Sequence, residues 1–201
     1  MVLAASVLTA CGDDDASSKS QPTSAATAQQ AGTGIPELDG VVATVESHDP
    51  AALRKLLEFS MQACTVALGA GGPPKCLAGE PDGTKVSVIE FVSCERGWRR
   101  ESTSDAGLSI DTGLAEFTAV KAIRYAAFVP PNGYILHGSY ILVFEGPDPR
   151  GGGNIGNRGV ALAVDSGKVV GLSLACGAGS GGGKTLVPPG QTAFLLKPPS
   201  P

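Results

Sequence analysis

Between residues 36 and 62 the chain shows two stretches in which apolar residues recur every three or four positions. The first stretch contains Leu38, Val41, Val42 and Val45, and the second contains Leu53, Leu56, Leu57 and, on the same stripe, Ser60. This spacing places the side chains on one face of a helix. Asp49 followed by Pro50 is typical of an N-cap and a first helical position. The pattern therefore predicts two short helices, one from about Pro36 and one from Pro50 to about residue 62, joined by a tight corner.

Farther along the chain, alternating and β-branched residues predict a series of strands. They cover residues 85 to 92, 122 to 129, 134 to 145, 159 to 164 and 169 to 176, with a short final strand at 192 to 196. The segment before residue 122 is read as a third helix that runs into its strand. The turn sequences "PPNG" and "DSGK" join neighbouring strands into two hairpins. The region from 95 to 113 gives little signal.

Helices followed by a meander of strands are typical of an α+β domain. The helix-Asp-Pro-helix opening and the closing hairpin "VALAVDSGKVVGL" resemble the NTF2-like (SnoaL-like) family over residues 37 to 177. That resemblance implies two or three N-terminal helices packed on a curved antiparallel sheet, a cone that often encloses a pocket. A cystatin-like arrangement of a helix on a sheet gives much of the same order and stays open as the alternative.

Composition indicates one loop-rich globular domain. Gly (28) and Pro (15) make up more than a fifth of the 201 residues, yet 42% of the chain is hydrophobic and only 17% is charged. The net charge is −4, and the Lys and Arg residues are scattered. Binding to a phosphate backbone needs a concentrated basic surface, so nucleic acid is not an expected partner.

The N-terminal segment carries an export pattern. An apolar run over residues 2 to 8 leads into Leu8-Thr9-Ala10-Cys11, which resembles the lipobox of bacterial lipoproteins. The resemblance implies lipidation of Cys11 and an extracytoplasmic, lipid-anchored protein of the bacterial cell envelope. Residues 12 to 35 are mostly small and polar and predict a flexible tether. The predicted organisation is therefore a signal peptide and lipobox at 1 to 11, the tether, an α+β domain at 36 to 177, and a Gly/Pro-rich segment at 178 to 201.

Four further cysteines follow the lipobox: Cys64, Cys76, Cys94 and Cys176. An even number of cysteines in an exported domain predicts two disulfides, with three connectivities open. We favour one bridge from Cys64 to Cys76, because it would staple a loop rich in Gly and Pro, and a second from Cys94 to Cys176. The cysteines lack the close pairs of a zinc site. No metal or other cofactor is expected.

A glycine-rich segment at residues 178 to 185, "AGSGGGKT", fits a relaxed phosphate-loop pattern. Such a loop must end at a helix whose first N–H groups face the phosphates. Pro188 and Pro189 follow within four residues and leave no room for a helical turn. We therefore predict no nucleotide binding. The "GxSxG" pattern of hydrolases does not occur in the chain either.

His137 is the first candidate for ligand contact or chemistry. On the predicted strand over residues 134 to 145 it shares a face with Ser139. If that face lines a pocket, His137 and Ser139 could bind or polarise a ligand, and a carboxylate such as Glu116 could orient the imidazole. The alternative is a histidine on the wetter face of a sheet.

The run "CERGWRRES" is the second candidate. Trp98 and Arg99 stand there with two further arginines, and guanidinium groups pair with anions and stack on indole rings. Trp98 and Arg99 are therefore candidate contacts for an anion or a glycan. The alternative is a tryptophan at the domain edge that is covered by arginine side chains.

The sequence favours a non-catalytic binding or structural module that takes a small apolar ligand or a cell-envelope partner. The alternative is a pocket enzyme of the NTF2-like type with His137 as acid or base. A deep cavity that holds His137 with a carboxylate within hydrogen-bond reach would favour the enzyme. A cavity filled by side chains would exclude it.

Overall fold

The computed structural model describes residues 32 to 69, 71 to 101, 110, 114, 115, 124 to 147, 157 to 175 and 185 to 196. The predicted signal peptide with Cys11, most of the predicted tether, Glu116, Cys176 and nearly all of the "AGSGGGKT" segment lie outside these residues. In the described part of the chain, the helices are too short and too polar to cross a lipid bilayer.

Two helices begin the domain, as predicted. Helix α1 spans Pro36–Glu46 and helix α2 spans Pro50–Leu56. The Asp49 carboxylate caps α2 by accepting a hydrogen bond from the Ala51 N–H at 2.8 Å. Helix α2 ends at Leu56, well short of the predicted residue 62. The backbone of Glu58 turns away to donate to the carbonyl of Val169, and the chain continues as a strand.

Seven strands follow among the described residues, and the sequence predicted five of them. They are β1 Ser60–Ala63, β2 Lys85–Val92, β3 Arg96–Arg100, β4 Arg124–Phe128, β5 Tyr140–Pro147, β6 Asn157–Asp165 and β7 Lys168–Leu174. Strands β1 and β3 are short and have little alternation, and they form because each pairs with β2. The predicted strand at residues 192 to 196 is wrong, since this segment makes only one isolated bridge, between Leu196 and Ala127.

Strand β5 begins at Tyr140 instead of residue 134, and the reason lies in its neighbour. Tyr140 pairs with Val164, and β6 ends one residue later, where the chain turns into β7. The turn uses Ser166 and Gly167, both with positive φ (48° and 74°), as a tight two-residue hairpin requires. A strand over residues 134 to 139 would extend past that turn, where β6 has no residues left to pair with it.

The strands form one sheet in the order β1-β2-β7-β6-β5-β4, and β3 also pairs with β2. All pairings are antiparallel except the one between β2 and β7, which is parallel over Glu90–Gly171, Phe91–Leu172 and Val92–Ser173. The described sheet is open, with β4 at one end of this order and β1 at the other. The α+β prediction is confirmed, while the sheet is mixed and not purely antiparallel.

The two faces of the sheet bury different clusters. The helix face packs Leu38, Val41, Val45 and Leu53 against Ile89, Phe91, Leu142, Phe144, Leu162 and Leu172. The opposite face buries Val92, Phe128, Ile141, Val143, Ala161 and Ala163, with Leu136 and Leu186 placed over them. Since side chains alternate along a strand, neighbouring residues of β2 belong to different faces. The side of the sheet away from the helices therefore has its own core, covered by loops.

Candidate functional site

An open groove of about 580 Å³ lies on the sheet face away from the helices. Its wall is built by the ends of β2 and β7, the loop that precedes β5 and the C-terminal segment. Apolar side chains such as Val92, Ile135 and Leu186 line much of it, and Arg96, His137 and Ser173 add polar groups. A volume of this size fits a small organic molecule.

Glu90 supplies the buried charge beneath this groove. It is only 6% exposed, although it lies in the middle of an apolar strand. Alternation along β2 places it on the groove face, with Trp98 beside it on β3 and Gly171 on β7. A β-carbon at Gly171 would lie 3.7 Å from the Glu90 Cβ, which is an ordinary van der Waals contact. The sheet therefore accommodates a carboxylate that must find a partner, because an unpaired buried charge is costly.

Arg96 and His137 are the partners of Glu90. The Arg96 Nε donates a hydrogen bond to Glu90 Oε1. The Nδ1 atom of His137 lies 3.2 Å from Glu90 Oε2 and 2.9 Å from an Arg96 terminal nitrogen. A single ring nitrogen cannot donate to the carboxylate and accept from the guanidinium at the same time. His137 therefore has two alternative hydrogen-bonding states in this cluster.

The loop that carries His137 is held in place at three neighbouring positions. The Tyr134 hydroxyl donates to the Leu186 carbonyl, and burial raises the pKa of this phenol. Leu136 is 1% exposed. A β-carbon at Gly138 would lie 3.0 Å from both the Ala163 Cβ and the Val164 nitrogen, so a larger residue here would have to push these neighbours back by a few tenths of an ångström. The side chain of His137 between them is 72% exposed and lines the groove.

Ser173 contributes an unusual polar group to the groove wall. The residue is 1% exposed and lies opposite Val92 in the parallel pair of β2 and β7. Its hydroxyl is buried and has no hydrogen-bond partner among the described residues. Buried hydroxyls are normally paired, and leaving one unpaired costs about 1 to 3 kcal/mol.

Of the four candidate ligand contacts, the structure brings only His137 to the groove. Ser139 is exposed and donates its backbone N–H to the Asp165 carboxylate at 2.7 Å. The Trp98 indole N–H donates to the Gly72 carbonyl at 2.8 Å. The Arg99 guanidinium lies 4.1 Å from the centre of the Phe91 ring on the helix face, and burial lowers its pKa.

The Cys64 to Cys76 bridge is present, as predicted, and closes a loop that packs beside β3. Cys94 is also disulfide-bonded, and its predicted partner Cys176 lies outside the described residues. Cys64, Cys76 and Glu80 place potential ligand atoms within 4.8 Å of one another. Because the bridge removes both thiolates, these three residues do not fit a metal ion.

Arg100 attaches the disulfide loop to the sheet. Its two terminal nitrogens donate to the two carboxylate oxygens of Glu80 at 2.8 and 2.6 Å, and one also donates to the Lys75 carbonyl at 3.0 Å. These hydrogen bonds, with a further one from the Leu77 N–H, lower the pKa of Glu80. This cluster satisfies the guanidinium and the carboxylate with groups of the protein itself, so its role is structural.

Sequence reasoning missed Glu90, Ser173 and the role of Arg96. Glu90 did leave a signal, because it is the one acidic residue inside the otherwise apolar end of the strand "KVSVIEFV". Ser173 left none, since a serine in an alternating strand is ordinary. Arg96 stood in the predicted arginine cluster, but nothing in the sequence distinguished it from Arg99 or Arg100.

No protein-family model, curated protein sequence or solved structure matches this chain. The lipobox resemblance and the NTF2-like resemblance therefore stay predictions from the sequence. The function has to be argued from the groove and from the residues that form it.

Proposed function

We propose that this protein is a tethered extracytoplasmic lipoprotein whose domain binds a small, largely apolar molecule in the groove. The observation that carries the proposal is the groove itself, with about 580 Å³ of space, mostly apolar walls and a few polar residues that include Arg96, His137 and Ser173. Small-molecule sites typically have such volumes and a few polar groups that orient the ligand. The unpartnered hydroxyl of Ser173 beside the groove supports the same reading.

The disulfides support the extracytoplasmic part of the proposal. The bridge between Cys64 and Cys76 and the half-cystine at Cys94 are consistent with an oxidising compartment outside the cytoplasm. The lipobox at residues 8 to 11 adds lipid attachment at Cys11, and the tether would let the domain reach its ligand from the membrane surface. The membrane, through this anchor, is thus the first proposed partner. A second cell-envelope protein is the other.

An NTF2-like origin of the domain is part of the proposal. Two helices followed by a mostly antiparallel sheet support it. The parallel pair of β2 and β7, and a groove on the face opposite the helices, depart from a cone that encloses its pocket against the helices. A cystatin-like arrangement accounts for the helices on one sheet face equally well.

Ligand titration followed by two-dimensional NMR tests the binding function. The full chain with Cys11→Ser, which cannot carry lipid, is titrated with 4-phenylbutan-1-ol, a neutral molecule with an apolar ring and one hydroxyl. We expect saturable shifts in the amide signals of Ile135, Ser173 and Leu186. Ala175→Trp, which fills the groove, should abolish them, whereas Ala43→Trp on the exposed side of α1 should not. Shifts that survive in the filled variant would contradict the proposal.

Mass spectrometry of the exported protein tests the anchor. A diacylglyceryl group on Cys11 as the first residue is the expected result, and Cys11→Ala should give an unlipidated protein. An exported chain that still begins with unmodified Met1 would contradict lipid attachment.

The contact between His137 and Glu90 favours a second candidate function, a pocket enzyme with His137 as acid or base. The Nδ1 atom lies within hydrogen-bond reach of the buried carboxylate, which is the arrangement of an oriented general base. The Arg96 guanidinium contacts the same ring, and the groove is open to solvent, so we rank this candidate second. Hydrolysis of p-nitrophenyl butyrate that is lost in His137→Ala and retained in His48→Ala would support it. Equal rates in all three proteins would contradict it.

A further inference from the structure

We infer that the polar end of the groove binds an anionic group, so that the ligand is an amphipathic molecule with a carboxylate at one end. The inference rests on the proposed binding function and adds the charge of the ligand to it. It comes from the arrangement of Glu90, Arg96 and His137, in which the carboxylate is buried and the guanidinium and the imidazole line the groove.

Among the described residues that line the groove, Arg96 and His137 carry the basic side chains, and none carries a carboxylate. Glu90 lies behind them with 8% of its side chain exposed, whereas the Arg96 side chain is 46% exposed. Glu95 is exposed on the turn before β3 but does not line the groove. A ligand in the groove therefore meets a guanidinium and an imidazole before it meets any acidic group.

Arg96 is oriented for such a contact. Its Nε atom is occupied by Glu90 and one terminal nitrogen approaches His137. The other terminal nitrogen, Nη1, has no partner among the described residues. A guanidinium offers five N–H donors in a planar fork that matches a carboxylate. The buried Glu90 already holds the guanidinium in place. Binding a ligand carboxylate would therefore cost Arg96 less side-chain entropy than it would cost a free arginine.

A cationic ligand fits this site poorly. An ammonium group would need a carboxylate, and the one at hand is already bound to Arg96 and lies beneath it. The Arg96 guanidinium lines the groove and is 46% exposed, whereas Glu90 does not line it, so a second cation would be repelled there. An anion, by contrast, would place its charge next to Arg96.

The apolar part of the groove suits the remainder of an amphipathic molecule. Ile135, Leu174 and Leu186 line the groove beside the polar residues, and Ile135 is 40% exposed in the free protein. Covering these side chains on binding is favourable. The ligand class that matches both ends is a monocarboxylate with an aromatic or aliphatic tail.

Three molecules of nearly equal size test the inference on the full chain with Cys11→Ser: 4-phenylbutyrate, 4-phenylbutan-1-ol and 4-phenylbutylammonium. Affinities are measured by NMR titration at neutral pH and low salt. We expect the carboxylate to bind about tenfold more tightly than the alcohol, as a charge-assisted hydrogen bond would give, and the ammonium to bind most weakly. If the alcohol or the ammonium binds as tightly as the carboxylate, the inference is wrong and the binding function stands. If none of the three shifts the groove signals, both are wrong.

Two matched arginine variants test whether Arg96 causes the preference for the carboxylate. In Arg96→Met the preference for the carboxylate over the alcohol should disappear, while Arg99→Met, which removes the same charge from the helix face of β3, should keep it. The double variant Glu90→Met/Arg96→Met leaves no unpaired buried charge and provides a folded protein for the same comparison if the single variant unfolds. A tenfold preference that persists in either Arg96 variant would overturn the inference.

Discussion

Arg96 and Arg100 are four residues apart on β3 and lie on the same face of the sheet, yet they have different surroundings. Each pairs with a glutamate. The Arg100 side chain is 13% exposed, binds both oxygens of Glu80 and also donates to a backbone carbonyl. The Arg96 side chain is 46% exposed, and the glutamate that it binds is the more buried partner.

The difference separates a structural ion pair from one that serves a site. At Arg100 the protein uses both ends of the guanidinium to attach the disulfide loop, so little remains for a ligand. At Arg96 the buried Glu90 uses one side of the guanidinium, and the other side faces the groove. The same pair of residue types therefore stabilises the fold in one place and presents a charged group to solvent in the other.

The largest expected effect follows from removing the disulfide on the Arg100 side. In Cys64→Ala/Cys76→Ala the bridge that closes a separation of 12 residues is lost, which should lower the free energy of unfolding by about 3 kcal/mol in the loop-entropy model. Urea denaturation measures this change. Titration with 4-phenylbutan-1-ol serves as the control and should be unaffected, because these cysteines do not line the groove. An unchanged free energy of unfolding would show that the attachment by Arg100 alone holds the loop.

A smaller effect is expected on the Arg96 side. Arg96→Met leaves the buried Glu90 carboxylate without its guanidinium, which should lower the free energy of unfolding by about 2 kcal/mol. Glu90→Met/Arg96→Met removes both charges and should recover much of that loss, since replacing both partners by apolar groups is often nearly neutral. Urea denaturation of the two variants tests this. A double variant less stable than the single one would show that Glu90 stabilises the fold without Arg96.

The smallest effect is a pH dependence on the Arg100 side. Hydrogen bonds from Arg100 and Leu77 lower the pKa of Glu80 in the folded protein. The stabilisation is therefore complete above the ordinary pKa of a glutamate, about 4.3, and is lost as the pH falls through the lowered value. Glu80→Gln should be less stable than the parent at pH 7, and the difference should shrink below pH of about 4. A difference that is independent of pH would mean that the carboxylate charge does not matter there.

Local patterns predicted much of the fold. Helix α1, strand β2 and the hairpin of β6 and β7 follow from apolar periodicity, a cap or turn residue and β-branched composition, all of which act over a few residues. The Cys64 to Cys76 bridge could also be predicted from a short stretch of sequence, because it closes a loop that has little structure of its own. Strands β1 and β3 could not be predicted, since they have weak patterns and depend on β2.

The candidate site was only partly accessible from the sequence. His137 was identified as a candidate for chemistry, but Ser139, its expected neighbour on the same face, is not one of its hydrogen-bond partners, and Glu116, the expected orienting carboxylate, lies outside the described residues. It contacts Glu90, 47 positions earlier, and Arg96, 41 positions earlier. Periodicity says which face a side chain occupies, and it carries no information about which strand or loop lies beside it.

The sequence by itself determined that this chain has an apolar core of helices and strands and a disulfide-stapled loop, because these depend on composition and short spacing. The export-like N-terminus stays a prediction. The tertiary structure alone decided that β2 pairs with β7 in parallel and that the loop before β5 packs over this pair. That packing depends on strand order and on the close approach at Gly138. It brings an arginine and a histidine to one groove and places a buried glutamate behind them, and local preference cannot specify such an arrangement.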